Sequence, residues 1–167
     1  MNREFKSLSE KDTRKLAEVL AREILNTKPT AGRALVIALT GELGSGKTTF
    51  TKALFRSLGV KARVISPTFV FSRRYKLASQ AVKLGSEKLR RRRSSPISTA
   101  WHFDAYRLSS PKEIKAIGLK EALKQKESLV LVEWADKVKT CLPQGTLWIE
   151  FKHGANPNER YLTFNRR

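Results

Sequence analysis

The sequence predicts an α/β fold: a mixed, mainly parallel central sheet flanked by helices, plus a C-terminal β-hairpin. Three observations predict it. Residues 34–39 are uninterrupted apolar, as in a strand buried on both faces of a parallel sheet, and lead into Gly41-Glu-Leu-Gly-Ser-Gly-Lys-Thr48. Residues 129–132 form a second all-apolar run, which ends in Glu133. Leu147, Ile149 and Phe151 alternate with polar residues, as do Leu162 and Phe164, around Gly154-Ala155-Asn156-Pro157. That last pattern reads as a hairpin, antiparallel within itself and so able to make the sheet mixed.

Bulk properties restrict the class further. A chain of 167 residues is long enough to bury a core as one domain spanning residues 1–167. No apolar run approaches the roughly 18 residues of a membrane span, so no membrane association is expected. The first ten residues lack the apolar stretch of a secretory leader, and Cys141 is the only cysteine, so no internal disulfide is possible. A cytoplasmic protein is expected. The net charge is +19 and unevenly spread. Between residues 72 and 99, nine Lys and Arg residues face the single acid Glu87, a net +8 that favours polyanionic partners, nucleic acid first. A solvated basic loop is the plainer alternative.

Taken in order, residues 3–6 suit a short edge strand. Ser9, with Asp12 at the third helical position, is an N-cap signature, and Leu16, Val19, Leu20 and Ile24 follow at helical spacing to about residue 26. Pro29 and Gly32 end that helix. The apolar strand and the Gly41-x4-Gly46-Lys47-Thr48 pattern come next, with strand before and helix-competent residues after, as a Walker A phosphate loop requires. Its helix runs to about Leu58 and is closed by Gly59. Val60 to Ile65 is a second strand candidate, stopped by Pro67. Residues 72–98 show few order signals and read as a mobile basic insertion, with a short helix conceivable over 78–89. Thr99 to Tyr106 alternates: Trp101, Phe103 and Ala105 on one face, His102, Asp104 and Tyr106 on the other. Ser110-Pro111-Lys112-Glu113 opens a helix carrying Ile114, Ile117, Ala122 and Leu123, with Gly118 either kinking or breaking it.

These elements carry the chemistry of a nucleotide site. Glycines let loop N–H groups approach phosphate oxygens, and the following helix adds its own free N–H groups and positive dipole end. The phosphate-binding set is Gly41, Leu43, Gly44, Ser45, Gly46, Lys47, Thr48 and Thr49. Lys47 reaches the β- and γ-phosphates, and the Thr48 hydroxyl ligates Mg²⁺. Glu133, delivered at the end of a buried strand, is the Walker B acid. Mg²⁺ takes one or two carboxylates beside phosphates and waters, so Thr48, Glu133 and Asp104 form the expected metal set. Glu133 is assigned to the metal and Asp104 to a metal-bound or attacking water, with exchange of the two left open. Lys47, Asp104 and Glu133 are the expected catalytic residues. Structural pairings compete with these roles: Asp104 with Arg107, and Glu133 with Lys137. Thr68 sits where a switch threonine would face the γ-phosphate, or is a plain turn residue. His102 reads as a core histidine before a base, and Trp134 as a pocket residue or a core one.

The run Gly41-Glu-Leu-Gly-Ser-Gly-Lys-Thr-Thr-Phe50, then Ser66-Pro-Thr-Phe69, His102-Phe-Asp-Ala-Tyr-Arg-Leu108 and Val132-Glu-Trp134 resembles the TsaE (YjeE) family. All four motifs occur in the family's order, and the resemblance covers the chain apart from about residues 72–98. It implies a P-loop NTPase fold and an ATPase that is weak alone. It also implies action with the TsaB–TsaD pair, in which TsaD transfers the threonylcarbamoyl group to adenosine 37 of tRNAs reading ANN codons. By motif match, Lys47 and Thr48 would bind phosphate and Mg²⁺, and Glu133 would join the metal site. Asp104 would serve hydrolysis, Thr68 would be a switch residue, and Trp134 would lie near the site. The departure is the long basic interval between Phe69 and His102, whose Arg90, Arg91, Arg92 and Arg93 are expected to meet tRNA or a tRNA-loaded complex. A small-molecule P-loop kinase with an arginine-bearing lid, and a non-catalytic nucleotide-gated module, are the competing functions.

Overall fold

The computed structural model describes residues 3–26, 32–78, 97–109, 113 and 117–166. Its elements are β1 (Arg3–Ser7), α1 (Glu10–Asn26), β2 (Leu35–Gly41), α2 (Lys47–Ser57), β3 (Ser72–Lys76), β4 (Thr99–Asp104), α3 (Leu119–Leu123), β5 (Ser128–Glu133), a 3-10 helix (Ala135–Cys141), β6 (Leu147–His153) and β7 (Arg160–Arg166). The strands form one sheet in the order β1-β7-β6-β2-β5-β4-β3. The four central strands, β6, β2, β5 and β4, run parallel to one another. Antiparallel pairing is confined to the flanks, where β6 meets β7, β7 meets β1 and β4 meets β3. This is the expected mixed sheet of a P-loop NTPase fold.

The two apolar runs become its centre because both of their faces are covered. On one face Ile37, Leu39, Leu129 and Leu131 pack with Phe50, Leu54 and Phe55 of α2 and with Ala17 and Ala21 of α1. On the other, Val36, Ala38, Val130, Val132 and Phe103 pack with Leu119 and Ala122 of α3 and with Ala135 and Val138. Phe50, Leu54 and Phe55 are 0% exposed, and each such side chain contributes about 1.5–3 kcal/mol by leaving water.

Several expectations are met closely. Ser9 Oγ accepts from Asp12 N at 3.1 Å and donates to Asp12 Oδ2 at 2.8 Å, so α1 is capped as its sequence implies. Gly118, at φ 74°, stands as the break before α3. Ser110, Pro111 and Lys112 lie outside the described residues; Glu113 Oε2 accepts from Ser109 N and Oγ, one position before the expected cap.

Other expectations are corrected. The buried stripe of α1 is Thr13, Ala17, Ala21 and Ile24, with Val19 40% exposed. Small residues on that stripe let α1 lie close against α2, which an apolar count alone does not favour. Residues 60–65 are not a strand: Val60 makes one isolated bridge to Leu77, and Lys61 and Arg63 face solvent. The chain there is instead tied back by Tyr75, whose hydroxyl accepts from Ile65 N at 3.2 Å. The segment read as insertion from residue 72 starts with strand β3, which covers the edge of β4. The conceivable helix over 78–89 and Arg90–Arg93 lie outside the described residues, apart from Ala78.

Candidate active site

The site is built where β2, β4 and β5 end on the face covered by α2. Asp104 and Glu133 are register partners in the parallel β4–β5 pair, so both side chains leave the sheet on the same side. Gly41 ends β2 so close to β6 that a Cβ would lie 2.1 Å from Phe151 O. No other residue fits there. Gly46, at φ 100°, is the N-cap of α2, and its carbonyl accepts from Phe50 N at 2.9 Å to start the helix. The amides of the first turn of α2 have no partner within the helix, and they open onto the loop. The loop is also held from the hairpin: His153 Nε2 donates to Leu43 O at 3.1 Å and Arg160 Nη2 to Gly44 O at 3.2 Å. Leu43 itself is 73% exposed, while Thr49 is half-buried on α2.

Lys47 folds back over the loop. Its Nζ donates to Gly41 O and Glu42 O, both at 2.7 Å, and to Ser45 Oγ at 3.3 Å, and it stands 4.1 Å from the Trp134 ring centroid. Burial pushes its pKa below the usual lysine value, against the pull of the Glu133, Asp104 and Asp136 carboxylates. Trp134 takes up this place through a left-handed backbone, φ 57°, at the start of the 3-10 helix, with its ring 4.9 Å from that of Tyr106.

The two acids have separate environments. Glu133 Oε2 accepts from Thr48 Oγ1 at 2.8 Å; Oε1 accepts from Thr51 Oγ1 at 3.0 Å and lies 2.8 Å from His102 Nε2. Asp104 Oδ2 accepts from Thr68 Oγ1 at 2.5 Å and Ser66 Oγ at 3.0 Å, and Oδ1 accepts from Tyr106 N at 3.0 Å. Neither structural pairing is among the described contacts. The Arg107 guanidinium lies over Phe69 at 4.4 Å, and Lys137 donates to the Tyr106 and Leu108 carbonyls.

A family model described as "Threonylcarbamoyl adenosine biosynthesis protein TsaE" matches residues 7–162. The chain belongs to the TsaE family. It is 28% identical over 140 residues to the Haemophilus influenzae protein named "tRNA threonylcarbamoyladenosine biosynthesis protein TsaE", a match covering 84% of this chain and 73% of that one. Proteins of the same name from Rickettsia conorii and Bacillus subtilis are each 34% identical, over 135 and 129 residues. Those matches cover 80% and 77% of this chain, and 62% and 68% of the relatives, so the chain spans somewhat less than two thirds of the Rickettsia conorii protein. The crystal structure of Bacillus subtilis YdiB superposes with a TM-score of 0.68 at 26% identity, covering 99% of this chain and 86% of that one.

In this TsaE-family site the donors that meet at the loop are a threonine hydroxyl and a carboxylate oxygen. Such hard oxygen donors suit Mg²⁺. Among the described residues no group of three or more His, Cys, Asp and Glu side chains could hold a metal, and a Mg²⁺ ion bound largely through phosphates and water needs none. The residues present therefore fit the expected ion, with Thr48 and Glu133 nearest to holding it and Asp104 beside them on the next strand. Sequence reasoning missed Thr51 and Ser66 as partners of the acids, His102 as a neighbour of Glu133, and His153 and Arg160 as supports of the loop. Thr51 carried a signal: it is three residues after Thr48, on the same face of α2.

Proposed function

We propose that this chain binds Mg·ATP and hydrolyses it as a cytoplasmic subunit of the machinery that forms the threonylcarbamoyl group on adenosine 37 of tRNAs reading ANN codons, acting with TsaB and TsaD. The observation that carries the ATPase half is the 2.8 Å hydrogen bond from Thr48 to Glu133, which joins the phosphate loop to an acid 85 positions away. Family membership supports the tRNA half, because the curated relatives are named for that pathway.

The residues then divide the work. Loop amides and the Lys47 ammonium take the phosphate oxygens, and Lys47 exchanges two carbonyl acceptors for anionic ones. Thr48 and Glu133 would hold the metal, which when bound would supply charge neutralisation for the phosphates. Asp104 orients a water for in-line attack: the new bond joins the water oxygen to the γ-phosphorus, the water's proton passes to the Asp104 carboxylate and then to solvent, and the bond to the β–γ bridging oxygen breaks, leaving ADP and phosphate. Thr68, tied to Asp104, couples that carboxylate to the segment 66–71.

Asp104→Asn tests the assignment. Turnover should fall about 100-fold or more while ATP binding stays within about threefold. All phosphate should appear as inorganic phosphate, and with TsaB, TsaD and tRNA, multiple-turnover modification should require hydrolysable ATP. A phosphorylated acceptor, or full turnover in the variant, would overturn the reading.

A further inference from the structure

His102 has no role in that division of work, yet its place is specific. It is 0% exposed on β4, two residues before Asp104 and on the same face. Its Nε2 lies 2.8 Å from Glu133 Oε1, and its Nδ1 is buried with no hydrogen-bond partner among the described residues. The ring stands edge-on to Phe55 at 5.9 Å. Because a carboxylate oxygen only accepts, the shared proton belongs on Nε2.

We infer that His102 is a positioning residue for the metal carboxylate. With Thr51 on α2 it occupies Oε1 from the sheet side, which leaves Oε2 as the oxygen presented to Thr48 and to the ion. Two partners arriving from two different elements, the Thr51 hydroxyl being shared with Lys47 O at 2.9 Å, hold a flexible glutamate in one rotamer. Outer partners of this kind are what orient metal-binding carboxylates. The inference rests on the Mg·ATP reading. The rival account is that His102 only fills space beside Phe55, in which case an apolar residue of similar size would serve.

Mn²⁺ replaces Mg²⁺ as the probe, with the full chain and saturating ADP, and free Mn²⁺ is read by electron paramagnetic resonance. ADP affinity in chelator measures binding without metal. His102→Leu should weaken Mn²⁺ uptake about 10-fold or more while metal-free ADP affinity changes less than about twofold. His102→Gln returns an N–H near the Nε2 position and should recover most of the loss. His102→Asn, whose amide sits at the Nδ1 position, should not. These last two carry the test if the Leu variant is unfolded. Wild-type uptake in His102→Leu, an equal loss of metal-free ADP binding, or equal rescue by Asn and Gln would each overturn the inference alone. If the wild type takes up no Mn²⁺ with ADP, the Mg·ATP reading fails and takes the inference with it.

Discussion

Lys47 is held in a way that only an anion improves. Its ammonium is removed from water, its pKa is pushed down by burial, and its hydrogen-bond acceptors are neutral: the carbonyls of Gly41 and Glu42 and the Ser45 hydroxyl. A phosphate oxygen offers a charged partner at the same spot, and charge-assisted bonds are the stronger ones. Lys47→Met should therefore abolish the rise in melting temperature that Mg·ATP produces. In the wild type, nucleotide at 100 times its Kd should add about 2.7 kcal/mol. An undiminished shift in the variant would remove Lys47 from the phosphate site. At this scale the sequence was informative where residue type alone implies a chemistry, as with Lys47, Thr48 and Glu133. It was silent where a partner depends on which strands lie side by side. Ser66 meets Asp104 across 38 positions, and His102 meets Glu133 across 31, and no local pattern encodes either.

The β6–β7 hairpin supports the loop from outside, and its own turn is pinned by Glu159. That carboxylate is buried, 2.9 Å from Lys6 on β1, and accepts from Tyr161 Oη at 2.8 Å and Asn156 Nδ2 at 3.0 Å. The hydrogen bond from Lys6, then that from Tyr161, holds its pKa below the usual carboxylate value. A carboxylate lowered on folding adds stability above its unfolded pKa, about 4.3, and that stability is lost as pH falls through the lower folded value. Glu159→Gln should melt below the wild type at pH 7, and the gap should close as the pH falls below about 4. A gap that persists in acid would show that the pair does not matter through its charge. The elements themselves were legible to different degrees. The hairpin, β2 and β5 follow from apolar periodicity. Strand β3 was hidden because Arg73, Arg74 and Lys76 face out and Tyr75 alone is buried, so an edge strand looked like charged loop. Residues 60–65 misled in the opposite sense: Val60, Val64 and Ile65 are apolar, but Val60 makes only an isolated bridge and the Ile65 backbone is held by the Tyr75 hydroxyl, not by a ladder.

Across the whole molecule, charge is the property that composition reveals first, with a net +19. The proposal that the basic interval meets tRNA has a direct test: replacing Arg90, Arg91, Arg92 and Arg93 with alanine should lower tRNA affinity and flatten its dependence on salt, because each phosphate contact releases counterions. Unchanged affinity and slope would make the run a solvated loop. The architecture was legible because the parallel centre is written in two apolar runs, whereas the way distant segments converge on the acids needed the assembled sheet. That sheet holds one more lesson, in the pairing of Asp104 with Glu133. Sliding β4 by one position would send His102 and Asp104 into the opposite layer and bring Trp101 and Phe103 round to α2. Correct alignment and assembly of the two acids are thus a single event, so under the proposed ATPase function a population of partly misaligned molecules would show up as a lowered fraction of active sites, each working at full speed.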